Sequence, residues 1–157
     1  MAAVTFQTVD AFLTEVAKGA ASAIDLTVDD LEIYFTNATP NRASNVVASD
    51  LAQITQKNGY AGPVTLTITS RGIHQHAYRI VASDPPTWEG TDATDSTGFG
   101  PFRYVVLLDK STNATFGSRK IIGYWTYPSA ITVADGDFFK VDFSATDGMV
   151  RFESAAQ

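Results

Sequence analysis

The chain has 157 residues, 45% of them hydrophobic, and carries a net charge of −6 with a pI of about 4.7. That length suits one domain, and that apolar content excludes wholesale disorder. Only eleven Lys and Arg residues are present and they are scattered, which argues against nucleic acid as a partner, because phosphate binding needs clustered cations. With no cysteine, neither a disulfide framework nor a thiolate zinc site can be built.

The first ten residues lack the basic and apolar regions of a secretory signal, and no apolar run approaches the roughly 20 residues of a bilayer span. A soluble product made in the cytoplasm, with no membrane partner, is therefore expected.

Val9, Phe12, Leu13, Val16 and Ala17 recur at the spacing of one helical face, which predicts a short amphipathic helix over 9–17. Thr8 is the expected N-cap, Asp10 lies in the first turn, and Lys18-Gly19 is a stop signal. Leu31, Ile33 and Phe35 then alternate with Glu32 and Tyr34 as in a strand, which residues 37–41 break. A second, weaker helix is expected from Ser49 as N-cap through Leu51, Ala52 and Ile54, stopping at Asn58-Gly59.

From residue 60 onward the period is two. Val64, Leu66 and Ile68 alternate with Thr65, Thr67 and Thr69 in a half-buried strand, and Tyr78 to Ala82 forms another. Phe102 to Leu108 is apolar on both parities, as in a central strand covered on both faces, and Ile121 to Tyr127 behaves similarly. Gly123 marks a bulge or a close approach within it. Phe139, Val141 and Phe143 point one way while Lys140, Asp142 and Ser144 point the other. Asp147-Gly148 is expected to turn the chain into a last strand, Met149 to Phe152, as a hairpin.

Short strands at about 8–12-residue spacing favour a sandwich or barrel over alternating β-α units. The expected fold is one mainly β domain over 1–157: an antiparallel β-sandwich or barrel with one or two short N-terminal helices.

Residues 84–101 form a long segment rich in Gly, Pro, Thr and Asp. Loops beyond about 12–15 residues are uncommon in compact domains and are usually functional or disordered, so this one is the first place to seek binding. Its Trp88, Glu89 and Phe99, with Phe6 and Phe12 of the N-terminal segment, are the candidate interface residues, since large aromatics dominate binding hot spots. Tyr124, Trp125 and Tyr127 are aromatic too, although Trp125 sits in a strand that reads as buried.

Other constellations carry less. His74 and His76 would share one face of a strand, as two metal ligands require, but no third ligand follows at metal spacing. Asp84, Glu89, Asp92 and Asp95 could approach a calcium ion, yet they miss the register of an EF-hand loop. Asp135-Gly136-Asp137 reads as a turn between strands. No Gly-x-Ser-x-Gly elbow or phosphate-cradling glycine loop occurs, so no enzymatic activity, cofactor or metal is expected.

The blocks Gly100 to Asp109, Ile122 to Tyr127 and Ile131 to Phe143 resemble a family of small virion proteins of tailed bacteriophages. Leu13 to Ala20, Leu31 to Pro40 and Ile80 to Asp84 resemble the same family, so the likeness spans most of the chain. It implies a non-enzymatic structural protein of the virion, in particular a capsid decoration or cement protein. Such a protein would sit on the capsid exterior and bridge subunits of the major capsid protein. A homo-oligomer is implied as well, and a place at a capsid three-fold axis favours a trimer. Two other readings stay open: a tail or tail-fibre component whose 84–101 loop contacts a host receptor, and a carbohydrate-binding module or glycosidase-like enzyme using exposed aromatics and acids.

Overall fold

The computed structural model describes residues 4–19, 23–91 and 98–153. The fold is mainly β, with antiparallel sheets and one short helix in a sandwich-like arrangement. In chain order the elements are β1 (Phe6–Thr8), α1 (Asp10–Ala17), β2 (Leu31–Thr36), β3 (Val64–Thr65), β4 (Ile68–His74) and β5 (Ala77–Ala82). There follow β6 (Trp88–Glu89), β7 (Phe99–Asp109), β8 (Lys120–Val133), β9 (Phe138–Phe139) and β10 (Val150–Glu153). A five-stranded sheet runs β1-β8-β7-β2-β3, a three-stranded sheet runs β10-β5-β4, and β6 pairs with β9.

The long β7–β8 hairpin is the frame. Val105 to Leu108 and Ile121 to Trp125 are all buried, because these strands are interior to the sheet and covered on both faces. The ladder sorts the side chains into rows: Phe35, Val105 and Trp125 lie opposite one another, and Tyr34, Val106 and Tyr124 form the next row on the other face.

On the first face Phe35 is the hub of an aromatic core. Its ring lies 4.5 Å from Phe102, 4.7 Å from Trp88, 5.1 Å from Tyr60 and 5.4 Å from Phe139. The β6–β9 pair and residues 141–149 close over this face, and the Met149 N–H donates to the Ile80 carbonyl, which ties that cover to β5. On the second face the Tyr34 hydroxyl donates to the Leu51 carbonyl at 2.9 Å and its ring meets Phe116 edge-on.

Several local expectations change. The helix begins at Asp10 with Val9 as an N-cap that makes no side-chain bond, while Thr8 belongs to β1 opposite Gly123. The Val9 N–H donates to the Ile122 carbonyl, which sets the rotation of α1, so Val9, Phe12 and Glu15 turn inward. Leu13 and Val16, expected on the buried face, are each 49% exposed, and Ala17 is exposed as well. Glu15 tolerates its position because Lys18 and Lys120 approach its carboxylate at 2.7 and 3.6 Å.

The second helix is replaced by a single 3-10 turn, Ala48–Asp50. The Asp50 carboxylate accepts the Val46 and Val47 N–H groups, and beyond the turn the Ile54 N–H donates to the Phe35 carbonyl. Leu51 and Ile54 are buried by docking beside β2 rather than by helical periodicity. Asn58 and Gly59 do punctuate the chain, both with positive φ, in a tight turn between Lys57 and Tyr60.

All six residues of β2 are buried, including Glu32 and Tyr34 of the expected outer parity. The alternation over 64–69 holds, but the segment serves two sheets: β3 ends at Thr65, and the chain turns the corner at Leu66-Thr67 into β4. Leu66 N–H still bonds to the Leu31 carbonyl of the large sheet, while the Thr67 carbonyl already accepts from Ser83 beside β5. At Gly123 both sequence readings apply. The β7–β8 register shifts beside it, and a Cβ there would lie 2.5 Å from Phe6 Cζ and closer still to the Gln7 carbonyl oxygen.

The last strand does not form a hairpin with the one before it. Ser144 and Asp147 bond to each other within the turn, Gly148 takes φ +85° against the Ile80 carbonyl, and β10 is delivered onto β5 instead.

Candidate functional site

The 84–101 segment begins as a structured strap. Asp84 pairs with Lys140 at 2.8 Å and accepts the Phe143 N–H at 2.8 Å. The Lys140 hydrogen bond, helped by Phe143, holds the Asp84 carboxyl below its ordinary range, and Asp84 in turn raises Lys140. Pro85 and Gly90 are buried, and Gly90 exchanges backbone hydrogen bonds with Gly136 and Asp137. Asp92 and Asp95, the loop carboxylates of the calcium reading, lie outside the described residues.

Strand parity sorts the candidate interface residues. Trp88 lies opposite Phe139 and both face the core, whereas Glu89 lies opposite Phe138 and both face out. Trp88 is 6% exposed, and Phe99 and Phe12 are buried too. Phe12 stacks on Phe152 at 5.7 Å and Phe99 on Tyr60 at 6.0 Å. These three expected contact residues are thus core side chains, because each sits on the inward parity of its element. Phe6 is half-buried against Trp125, with ring centroids 4.7 Å apart, and Glu89 is exposed.

The aromatic that does reach solvent beside the strap is Phe138, 67% exposed. The alternation that sets Phe139, Val141 and Phe143 inward already requires residue 138 to point outward. Tyr124, Trp125 and Tyr127 are all buried. The last two line a cavity of about 460 Å³ with Val141, Phe143 and Met149, and Lys140 and Asp142 also contribute to its wall.

His74 ends β4, but Gln75 and His76 form a two-residue turn with φ of 49° and 64°, so the two rings do not share a strand face. Among the described residues no group of three or more His, Cys, Asp or Glu side chains could hold a metal ion. Asp135 to Asp137 form the expected turn, with Gly136 at φ +78°. No helix among the described residues is long and apolar enough to cross a membrane.

Two buried charged groups had no signal strong enough to single them out. Glu32, 2% exposed, forms an ion pair with Arg119 at 2.5 Å. Asp109, with no exposure at all, ends β7 directly after the apolar run Val105 to Leu108. Burial, and then the hydrogen bond and charge of Asp29, push the Asp109 carboxyl up to about 8. An acid closing the apolar run Val105 to Leu108 was the one hint available.

The fold defines a β-sandwich-like protein whose exposed large apolar side chains are spread over Phe138 on β9, Leu13 and Val16 on α1, Ile73 on β4, and Val28 and Val46 in loops. Compared with known proteins, the chain significantly matches no family model, no curated protein and no solved structure.

Proposed function

We propose that the protein is a non-enzymatic structural component of a tailed-bacteriophage virion: a capsid decoration protein that binds the outer surface of the major capsid protein shell and stabilises it. The resemblance of residues 13–20, 31–40, 80–84 and 100–143 to small phage virion proteins supplies the class. The observation that carries the reading onto the structure is Phe138, two-thirds exposed and paired with Glu89 at the base of the 84–101 strap. An aromatic held rigidly at a sheet edge loses little side-chain entropy on docking, which is why such residues anchor interfaces.

The charged side chains support a scaffold role, since Asp84, Lys140, Glu32 and Arg119 are spent on tying loops to the sheets. The half-exposed Leu13 and Val16 on α1 offer a second contact, so one copy could bridge two shell subunits. Bridging makes attachment multivalent, and weak contacts then add to tight binding. A net charge of −6 suits the outer face of a shell, away from packaged DNA. A closed homo-oligomer, a trimer at a three-fold position, belongs to the same proposal.

The test is co-sedimentation of the purified protein with undecorated capsids of its own phage. The expected outcome is saturable binding that raises the temperature at which the shell releases DNA, with Phe138→Ala lowering occupancy at least tenfold. Labelling on tails rather than heads, or hydrolysis or binding of surface polysaccharide without capsid binding, would overturn it.

A further inference from the structure

We propose that the cleft between β8 and the 140–149 cover is a binding site for a sugar ring, a ligand with apolar C–H faces and a rim of hydroxyls. Trp125 and Tyr127 stand two apart on β8 and so share one face of the sheet. The cover crosses above them: Phe139 meets Tyr127 edge-on at 5.8 Å, and Phe143 lies 5.9 Å from Trp125. Between these ring contacts the layers stay apart and the cavity of about 460 Å³ opens, with Val4, Val105 and Met149 completing its apolar wall. That volume falls within the roughly 300–1,000 Å³ of small-molecule sites, which are mostly apolar with a few placed polar groups.

The walls are fixed before any ligand arrives. Asp84 holds Lys140 at 2.8 Å and accepts the Phe143 N–H at 2.8 Å. The Gly148 N–H donates to the Ser144 carbonyl at 2.9 Å, and the Met149 N–H donates to the Ile80 carbonyl at 2.8 Å. Phe6 backs the Trp125 ring at 4.7 Å. Little ordering is left for a ligand to impose, which favours binding.

The polar groups around the cleft select the ligand. Buried polar side-chain atoms are normally hydrogen-bonded. Trp125 and Tyr127 are both buried, yet among the described residues neither the indole N–H nor the phenol O–H has a hydrogen-bond partner, and neither atom is sealed from solvent. Burial pushes the Tyr127 phenol up, so it stays protonated and remains a donor. Asp142 is exposed on the cleft wall, and its carboxylate accepts no hydrogen bond among the described residues. Hydroxyl groups donate and accept, so they meet two donors and a carboxylate together. An inorganic anion would face Asp142, with Lys140 already bound to Asp84. An organic cation would pair with Asp142 and leave both aromatic donors empty. A purely apolar ligand would cover all three groups and leave them unmet. The C–H face of a pyranose packs on the aromatic rings while its hydroxyls serve the donors and Asp142.

A sugar site here is compatible with capsid attachment and does not depend on it. The test is titration of nitrogen-15-labelled protein with the methyl glycosides of glucose, galactose, mannose and N-acetylglucosamine, following the Trp125 indole N–H, with tetramethylammonium and toluene as cationic and apolar probes. At least one glycoside is expected to shift this signal saturably. Tyr127→Phe should weaken that sugar about fivefold, with Tm within about 2 °C of wild type because the hydroxyl gives up no protein partner. Asp142→Ala, at an exposed position, should weaken it about tenfold. No response to any glycoside up to its solubility would overturn the site. Saturation by tetramethylammonium or toluene but by no glycoside would give the cleft to another ligand class and overturn it too. So would a glycoside bound equally well by wild type and both variants.

Discussion

Replacing Trp88 with Ala separates a docking residue from a core residue. Trp88 is 6% exposed and lies 4.7 Å from Phe35 and 6.1 Å from Phe139, ring centre to ring centre. Truncation removes the indole from the middle of the aromatic cluster and leaves a void that the surrounding β-ladders cannot collapse to fill. Buried Trp→Ala changes cost about 3–5 kcal/mol, the loss of transfer energy plus the cavity. For a chain of this length each kcal/mol lowers Tm by roughly 2–4 °C, so a fall of about 6–20 °C is expected. Thermal unfolding followed by far-ultraviolet circular dichroism reads this directly. Phe138→Ala on the neighbouring strand is the control, expected within about 0.5 kcal/mol of wild type because its ring is already in water. A Tm for Trp88→Ala within 3 °C of wild type would refute the inward parity of β6, and with it the assignment of Phe138 as the exposed aromatic.

Arg119→Ala leaves the Glu32 carboxylate buried without its partner, and urea unfolding should report a loss of about 3–5 kcal/mol. Gly123→Ala forces a methyl group against Phe6 and the Gln7 carbonyl. A loss of about 1–3 kcal/mol is expected, with a change in Trp125 fluorescence as Phe6 shifts; an unchanged spectrum would count against the close β1–β8 approach. On the acid side, Glu15 is lowered to about 2 by its Lys18 hydrogen bond and the Ala23 N–H, while Asp25 and Asp84 are lowered by Thr27 and Lys140. A depressed carboxyl stabilises the fold above its unfolded-state value and loses that contribution as pH falls. Tm should therefore drop between pH 5 and pH 2.5, and a flat profile over that window would contradict these pairings.

The difference between the expected and observed helices illustrates what periodicity can carry. The 9–17 pattern located α1 but misjudged its buried side, because its rotation is fixed by the Val9–Ile122 hydrogen bond and Glu15 is drawn in by Lys18 and Lys120. Neither partner is visible from the helix itself. The apolar run near Ser49 reads as a helix locally, yet the Phe35 carbonyl competes for its backbone and wins. Among the candidate contacts, an aromatic in a polar loop looked exposed in the case of Trp88 until β9 paired with its strand and fixed its parity.

What the sequence by itself determined is that 102–108 and 121–127 lie in strands covered on both faces and that Phe139 and Val141 turn inward. A run apolar on both parities marks an interior strand, and two-residue alternation fixes the inward parity where one face is buried. Only the tertiary structure decided which strands pair, where the 64–74 segment changes sheets, and that the Asp109 carboxyl is buried at the end of β7. Those outcomes depend on groups 80 or so residues apart competing for the same hydrogen bonds and the same dry space, as when Ser111 receives Asp30 across 81 positions of sequence. No local pattern encodes such a competition, because its energy exists only once the layers have closed.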